Sequence, residues 1–534
     1  MPSVTFNKQQ LLKAVGRTLP DAVLAEKMAM LGTDVGEVSE TTVSVEVFPN
    51  RPDLLSLHGF ARALRSFIGS ERGMRKYRPL RGRTIVTVNE NLKTVRPYTA
   101  CAVARKCKLT DESIRELIEL QEKLHGTYGR KRKRIAMGIY PLDKIKAPIS
   151  FEARLPNDIV FTPLDEDKPL PALQILKDHP KGKEYGHLLY GHKAFPVFVD
   201  AAGQILSLVP IVNSDLTGRV TTATKDVFIE VSGFDFDVCH KALLIVCTAL
   251  MDMGAKVETV ELRYGKKRVL TPDFTPKKMT LSLQRANKLL GTNLGKEQVS
   301  LGLRKMGYDV TGLTASIPAW RTDILHEVDL IEDVAIGNGY HTLTPTIPQI
   351  ATVGGESRTA TVERQLRAIL QGLGFLEVRT YSLSSSSVQL EQARQIRRVV
   401  EMENPLTTDY SILRYHLIPN LLDVLSRNRH NEYPQLIFEI GPVWSPEEEP
   451  HLAFVMCSEK GVGFTEAKQT LETLHRALGK HVHLKPYEEK LFISGRAAVF
   501  PGGFFGEIHP QVLNNFEIPY AVVAGEIRYK EIVD

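Results

Sequence analysis

The sequence predicts an α+β multidomain protein, and three observations carry that reading. The chain is 534 residues long, which at roughly 150 residues per domain implies three to four domains. Apolar segments of period two alternate with segments of helical spacing along its whole length. Proline-, glycine- and arginine-rich stretches at 71–83, 271–276 and 344–348 divide those segments into blocks. The blocks run 1–83, 84–268, 269–345 and 346–534.

In the first block, residues 4–6 begin a strand, 8–15 carry helical spacing and 42–48 alternate as a strand. Pro49-Asn50-Arg51-Pro52-Asp53 breaks that strand, and 54–68 resume as an amphipathic helix with Asp53 as its expected cap. Residues 71–83 hold six basic residues against one acidic and read as a linker with a basic patch. The second block is a larger α/β domain. It has strand candidates at 84–88, 100–105, 197–199 and 228–231, and helices at 111–125 and 237–253. Asp111 is the expected N-cap of the first of these helices. A second basic run, Gly129-Arg130-Lys131-Arg132-Lys133-Arg134, follows that helix. The third block opens with short helices at 283–290 and 296–306, then strands, then a third helix. The fourth begins with a helix at 361–373 and continues with strands such as 436–440 and 521–527.

Composition excludes several classes. A hydrophobic share of 43% and a charged share of 24% are ordinary for a globular protein. Lys+Arg 68 against Asp+Glu 62 leaves a net charge of +6, so a nucleic acid could only be held by local basic patches. Five scattered cysteines without a C-x-x-C pattern argue against a disulfide framework or a zinc ribbon and for a reducing cytoplasm. No signal-peptide pattern is visible, and the most apolar stretch, 242–253, is too short for the roughly 20 residues of a membrane span. A cytoplasmic protein with no membrane partner is expected. Phosphate-loop, Rossmann, nucleophile-elbow and H-E-x-x-H patterns are all missing, so any ATP chemistry would not use a phosphate loop in this chain.

The most informative segment runs from Trp320 to Tyr340. With Val328 at 0° on a helical wheel, Asp329, Glu332 and Asp333 fall at about 100°, 40° and 140°, opposite an apolar stripe of Leu330, Ile331, Val334 and Ala335. Asp323 sits where the chain enters that helix. Like charges this close call for a compensating cation, and carboxylate oxygens suit a hard one such as Mg²⁺. A solvated acidic face would look the same on pattern alone.

The string Arg321-x-Asp323-Ile324-x4-Asp329-Leu330-Ile331-Glu332-Asp333-Val334-Ala335-x3-Gly339-Tyr340 strongly resembles the β subunit of phenylalanyl-tRNA synthetase. In that family the segment belongs to a small helical domain called B5. The resemblance implies that Asp323, Asp329, Glu332 and Asp333 are Mg²⁺ ligands near the α subunit. Phe48 to Ser56 is similar to the family's N-terminal, B1-like module. Residues 84–268 resemble the B3/B4 domain in its archaeal and eukaryotic form, which hydrolyses mischarged Tyr-tRNA. The matching stretches are Ile211 to Asp215 and Thr221 to Asp235, so Asn213, Ser214, Thr224, Glu230 and Asp235 are editing candidates. They are the polar groups able to sense the single hydroxyl that separates Tyr from Phe. The family reads more like Thr-Gly-Thr-Asp where this chain has Ser232-Gly233-Phe234-Asp235.

The last block resembles the β subunit's degenerate class II synthetase core, an antiparallel-sheet module without an active site. It carries Ile412 to Leu422, Leu436 to Gly441 and Gly503 to Pro510. A working core places an arginine two residues before its motif-two glutamate; here Gln435-Leu436-Ile437 precede Phe438-Glu439. A Gly-x-Gly-x-x-x-Arg pattern is also missing, so nothing is expected to clamp ATP phosphates. The resemblance implies an α₂β₂ phenylalanine–tRNA ligase in which the α subunit uses ATP and phenylalanine to charge tRNA(Phe). This chain would supply scaffold, Mg²⁺ ligands and proofreading. A free-standing aminoacyl-tRNA deacylase and a non-enzymatic nucleic-acid scaffold, with a helix-turn-helix near 283–306, are the alternatives.

Overall fold

Alternation of buried Val4 and Phe6 with exposed neighbours makes Ser3–Asn7 an edge strand in the computed structural model, which describes residues 2–528. It pairs antiparallel with Thr42–Glu46, and Asp34–Val38 completes a three-stranded sheet. The Asn7 side chain accepts from the Gln10 N–H at 3.0 Å and starts the helix Lys8–Val15. Gly16, at φ +72°, ends it. The next helix differs from expectation. Residues Pro52–Leu54 form a single tight turn, so the helix Leu57–Phe67 begins later and Ser56, not Asp53, caps it through the Gly59 N–H at 3.0 Å. Asp53 instead takes two hydrogen bonds from the buried Arg51 guanidinium, at 2.9 and 2.8 Å.

The residues up to 347 form one structural unit, and those from 348 on form another. In the first, a ten-stranded mixed sheet runs in the order Val212–Asn213, Ile205–Leu208, Phe195–Val199, Ile149–Arg154, Ile85–Val88, Lys256–Tyr264, Tyr98–Arg105, Val227–Gly233 and Ile135–Pro141. Lys267–Thr271 pairs additionally with Lys256–Tyr264. Ile85–Val88 is parallel to both of its neighbours. Every residue of Ile135–Pro141 and of Val227–Gly233 is buried, as expected of strands covered on both faces. The apolar helix Phe236–Asp252 packs on Ala100, Ala102, Ile229 and Val231. The alternate residues Cys101, Val103, Phe228 and Tyr140 serve a second core on the opposite face. Thr110, one residue before the expected Asp111, caps the helix Asp111–Gly126 and exchanges hydrogen bonds with Ser113.

The stretch 71–83 is not a free linker. Gly73 N–H donates to Arg304, Met74 N–H donates to Asp309, and Leu80 forms a bridge to Glu258. Arg62, Arg75 and Tyr77 converge on Asp252, and Arg62 also lies 4.9 Å from the Trp320 ring centre. Thus the three N-terminal blocks share one core rather than folding as beads.

The third block mixes helices and strands, as its residue pattern predicts, although the resemblance implies a small helical domain. Strands Lys277–Thr280, Thr314–Ile317 and Asp309–Thr311 form an antiparallel sheet beside helices Leu283–Leu290, Lys296–Lys305 and Glu327–Asn338. The latter two helices cross so closely that a Cβ on Gly337 would lie 2.1 Å from the Gly302 carbonyl oxygen. Two glycines at that crossing fix where the acidic helix sits.

The second unit is a seven-stranded sheet in the order Leu376–Glu377, Gln435–Trp444, Glu448–Cys457, Val522–Arg528, Gly503–Ile508, Phe492–Phe500 and Lys485–Pro486. All pairings are antiparallel except the first, which is parallel and departs from the all-antiparallel expectation. Helices Arg358–Gly372 and Phe464–Ala477 cover one face through Leu366, Leu370, Leu471 and Leu474. Helix Ile418–Arg427 covers the other through Leu421, Leu422 and Leu425. Beneath it Arg414, 1% exposed, donates to Glu439 at 2.7 Å, to Thr380 at 2.8 Å and to the Pro442 carbonyl at 2.8 Å.

Removing one partner of such a buried pair strands the other charge. Glu439→Ala should therefore cost about 3–5 kcal/mol, read as lost hydrogen-exchange protection across 435–457. The apolar double replacement Arg414→Met with Glu439→Leu should cost much less, and equal losses would show that the pair is not coupled.

Candidate functional site

A cavity of about 450 Å³ opens between the helix Asp111–Gly126, the strand Ile135–Pro141 and the segment 207–220. Its apolar wall includes Leu117, Met137 and Ile139, and its polar groups lie at two ends.

At the inner end, Glu230 enters from the fully buried strand Val227–Gly233. Its position opposite Gly138 puts it next to Tyr140, whose hydroxyl occupies space that a Cβ on Gly138 would fill, 2.3 Å away. The Tyr140 hydroxyl lies 2.9 Å from Ser207 Oγ and 3.3 Å from both Asn213 Oδ1 and Glu230 Oε1. The Tyr140 proton can go to only one of these oxygens at a time, and the Ser207 hydroxyl can supply another. Glu230 Oε2 is buried with no hydrogen-bond partner among the described residues. Burial pushes the Glu230 carboxyl up to about 8, against the opposing pull of the Arg96 charge and the Tyr140 hydroxyl. It is a neutral or easily protonated acid in a mainly apolar cavity.

At the other end, the Met137 N–H donates to His125 Nε2 at 2.9 Å, which leaves the ring proton on Nδ1, 3.2 Å from Glu122. Burial, with Arg132 repelling a second charge, lowers His125 to about 4, so the ring is neutral. Arg132 donates to Glu122 at 3.0 Å and to the carbonyls of Pro210 and Ile211 at 3.1 and 2.8 Å. It also lies 4.4 Å from the Tyr185 ring centre. Arg132 belongs to the second basic run, yet it is 7% exposed. Arg130, Lys131 and Arg132 adopt φ of 50°, 52° and 63° in succession. Three left-handed non-glycine residues in a row are costly, about 1 kcal/mol or more each. That turn directs Arg132 inward and leaves Arg130, Lys131 and Lys133 exposed.

Of the five editing candidates, Asn213 and Glu230 line the cavity, while Ser214, Thr224 and Asp235 do not. Ser214 is buried just before the short helix Asp215–Gly218. Thr224 accepts from the Thr221 N–H within a turn. Asp235 accepts from the Val238 N–H at 3.1 Å and caps Phe236–Asp252. Tyr140, Ser207, His125, Glu122 and Arg132 were missed. All but Ser207 lie far from the matched stretches in sequence, and Arg132 was hidden in a run that reads as surface charge.

In the acidic segment, Arg321 organises the carboxylates. Its Nε and Nη2 donate to the two oxygens of Asp323 at 2.8 and 2.6 Å, and Nη2 also reaches Asp333 at 2.8 Å. Tyr308 donates a short hydrogen bond to Asp333. Asp333 is therefore buried, not on the solvated face that the helical wheel predicts, because the segment before the helix folds back over it. Asp329 accepts from the N–H groups of Leu325 and His326, at 2.8 and 2.7 Å, and caps its own helix. Glu332 is exposed; partial burial and then the charges of Asp333, Asp329 and Asp323 raise its carboxyl, with Arg321 opposing. Four carboxylates face one guanidinium, so the donor atoms and the surplus charge fit a hard cation. As placed, they do not bring three ligand atoms within 4.8 Å of one another, because Arg321 and the helix cap draw them apart. The Phe48 to Ser56 stretch lies alongside: Thr322 Oγ1 donates to the Asn50 carbonyl, and Arg51 feels both Arg321 and Asp323.

Residues 343–529 match the family model described as phenylalanyl tRNA synthetase beta chain CLM domain, and residues 279–340 match that of the tRNA synthetase B5 domain. The chain is 38% identical to the phenylalanine–tRNA ligase beta subunit of Archaeoglobus fulgidus, over 100% of this chain and 99% of that one. It is 37% identical to the same subunit of Pyrococcus furiosus, over 100% of both. Among solved structures, an N-terminal fragment of the phenylalanyl-tRNA synthetase beta subunit from Pyrococcus horikoshii matches with a TM-score of 0.60 and 36% identity. It covers 63% of this chain and 99% of its own.

The Glu230 carboxyl, at about 8 when folded against an ordinary 4.5, binds its proton more tightly in the folded state. Its stabilising effect is complete below about 4.5 and is lost as pH rises through about 8. Glu230→Gln should therefore gain stability relative to the parent chain as pH rises from about 5 to about 8, by a few kcal/mol at most. Urea unfolding of both proteins across that range measures it, and a constant difference would contradict the assignment.

Proposed function

The chain belongs to the phenylalanine–tRNA ligase beta-subunit family, and on that premise we propose that it is the proofreading and scaffolding subunit of an α₂β₂ phenylalanine–tRNA ligase. In this reading the α subunit joins phenylalanine to tRNA(Phe) with ATP. The observation that carries the proofreading half is Glu230, buried with an unpartnered oxygen in a cavity of about 450 Å³. A tyrosyl side chain brings a hydroxyl that can hydrogen-bond the unpartnered oxygen of Glu230 beside the Tyr140–Asn213 group. A phenylalanyl side chain would leave those groups unpaired. A site built to hydrogen-bond a hydroxyl rejects the analogue lacking it by large factors. The exposed Arg130, Lys131 and Lys133, on the turn that delivers Arg132 to the cavity, suit the phosphates of a tRNA acceptor end. Asn213 and Glu230 are the groups assigned to recognition. Ser214, Thr224 and Asp235 act, on this reading, through the turn and the cap that hold the cavity wall.

The inability to synthesise the adenylate has support in the second unit. Glu439 is neutralised by Arg414 inside the protein, so neither is available to ATP. Exposed apolar side chains on the same unit, Leu376, Tyr381, Ile396, Leu406 and Tyr410, offer a face for the α subunit. A Mg²⁺ ion at the acidic helix would engage Glu332 and the oxygens of Asp329 and Asp333 that remain outside the cap and the Arg321 bonds. Asp323 would contribute by holding Arg321. When bound, the ion would supply compensating charge. No helix of the described residues is long and apolar enough to cross a membrane.

With the α partner present, Glu230→Ala is expected to slow hydrolysis of Tyr-tRNA at least about 10-fold while leaving Phe-tRNA synthesis intact. An unchanged deacylation rate sinks the recognition role. The chain alone should form no phenylalanyl-adenylate, and any adenylate signal from it would overturn the division of labour. Deacylation by the isolated chain at the full rate of the complex would favour the free-standing deacylase. For the metal, added Mg²⁺ should raise the melting temperature of the assembled protein, and Glu332→Ala should abolish most of that rise. An equal rise in both places the ion elsewhere.

A further inference from the structure

In the second unit, away from every group used above, two histidines and a glutamate meet beneath the helix Ile418–Arg427. His451 comes from the strand Glu448–Cys457, Glu526 from the neighbouring strand Val522–Arg528, and His416 from the turn that enters the helix. His451 Nδ1 lies 2.6 Å and His416 Nδ1 3.0 Å from the same oxygen, Glu526 Oε1. One ligand atom from each of the three lies within 4.8 Å of the other two, the only such grouping of three or more among the described residues. Glu526 is 1% and His451 6% exposed.

With His451 neutral the proton arrangement is unsatisfactory, and only a protonated ring or a metal-bound one puts a proton on Nε2 toward Glu449. Two ring N–H groups then converge on one carboxylate oxygen, which the Leu417 N–H also approaches at 3.2 Å. His451 Nε2 is left buried with no hydrogen-bond partner, facing Glu449 Oε2 at 3.6 Å. A neutral ring that donates through Nδ1 turns its Nε2 lone pair toward that carboxylate, which is repulsive. If Nδ1 instead ligates a metal, the ring proton moves to Nε2 and points at Glu449. A ligating histidine commonly donates its other N–H to a carboxylate in this way. Glu526 is likewise already oriented: its second oxygen accepts from the N–H groups of Leu417 and Ile418 at 3.1 and 3.2 Å.

We propose that His416, His451 and Glu526 bind a divalent ion of the zinc type, through His416 Nδ1, His451 Nδ1 and Glu526 Oε1. Two imidazoles and one carboxylate suit Zn²⁺ rather than Mg²⁺, which prefers oxygen ligands alone. Bonds of roughly 2.1 Å place tetrahedral ligand atoms about 3.4 Å apart. The 2.6 and 3.0 Å separations must open by about 0.8 and 0.4 Å to admit the ion. The fourth position falls to water. Such an ion would tie two central strands to the start of the helix that covers them.

The test uses the full chain assembled with its α partner, equilibrated with Zn²⁺ and then freed of loose metal by gel filtration. Elemental analysis should find about one Zn²⁺ per chain more than in the double variant His416→Gln, His451→Gln. The Glu332→Ala protein, altered at the acidic helix, should retain as much as the parent. If the double variant misfolds, X-ray absorption on the Zn²⁺- or Co²⁺-loaded parent decides: a shell with two imidazoles and a carboxylate oxygen supports the site. No retained metal, equal retention in parent and double variant, or a shell with fewer than two imidazoles overturns it. In those cases the cluster is held by protons alone.

Discussion

The guanidinium of Arg321 lies 3% exposed between Asp323 and Asp333. A charge taken that far from water is tolerated only where opposite charges and hydrogen bonds replace the lost hydration. Arg321 therefore draws the segment before the acidic helix back onto it, and that places Asp323 beside Asp333. The same requirement recurs wherever blocks of this chain meet. Arg62 and Arg75 close on Asp252. Arg51 closes on Asp53 next to the Arg321 group. The three N-terminal blocks share one apolar core, and Arg62 and Arg75 reach across a junction to Asp252, while Arg51 and Arg321 find their carboxylates within their own blocks.

A different balance operates in the cavity, where Glu230 has no cation bonded to it. Arg96 is buried nearby, but it donates to the Ser232 hydroxyl and carbonyl instead. Left without a bonded cation, the carboxyl is driven toward its protonated form, and an acid held neutral can exchange hydrogen bonds with a ligand hydroxyl. Burial that elsewhere enforces ion pairing here leaves an acid without a counter-charge. At the far end His125 is held neutral by the same cause, with its tautomer set by one backbone N–H. The left-handed turn at Arg130–Arg132 carries a backbone cost that the surrounding hydrogen bonds of Arg132 offset. Strain of that kind next to a cavity is consistent with a site whose shape matters.

The second unit puts its polar groups to structural use. Arg414 and Glu439 neutralise each other under the helix Ile418–Arg427, and the histidines converge on Glu526 in the adjoining strand. This sheet face is filled by internal pairs and an apolar helix. The charges that would attract phosphate are already matched.

Much of the architecture was legible in the sequence because periodicity is a local property. The helices Lys8–Val15, Leu283–Leu290 and Lys296–Lys305, and strands such as Tyr98–Arg105, follow from apolar spacing. The Gly-Glu-Ile-His-Pro and Asp-Leu-Ile-Glu-Asp strings pointed to the family. Caps were misassigned by a residue or more at Asp53 and Asp111, because which side chain caps depends on where the turn before the helix ends. The strands Ile135–Pro141 and Lys256–Tyr264 escaped notice: the first is buried at every residue and has no alternation to read, and the second alternates only irregularly. The sequence by itself determined the family, the order of elements and two cavity residues, Asn213 and Glu230. Only the tertiary structure decided that Asp333 is buried, that Arg132 faces inward, and that Tyr140, His125 and the His416–His451–Glu526 group have neighbours worth naming. Burial and pairing join residues as far as 272 positions apart, and no local spacing encodes such distances.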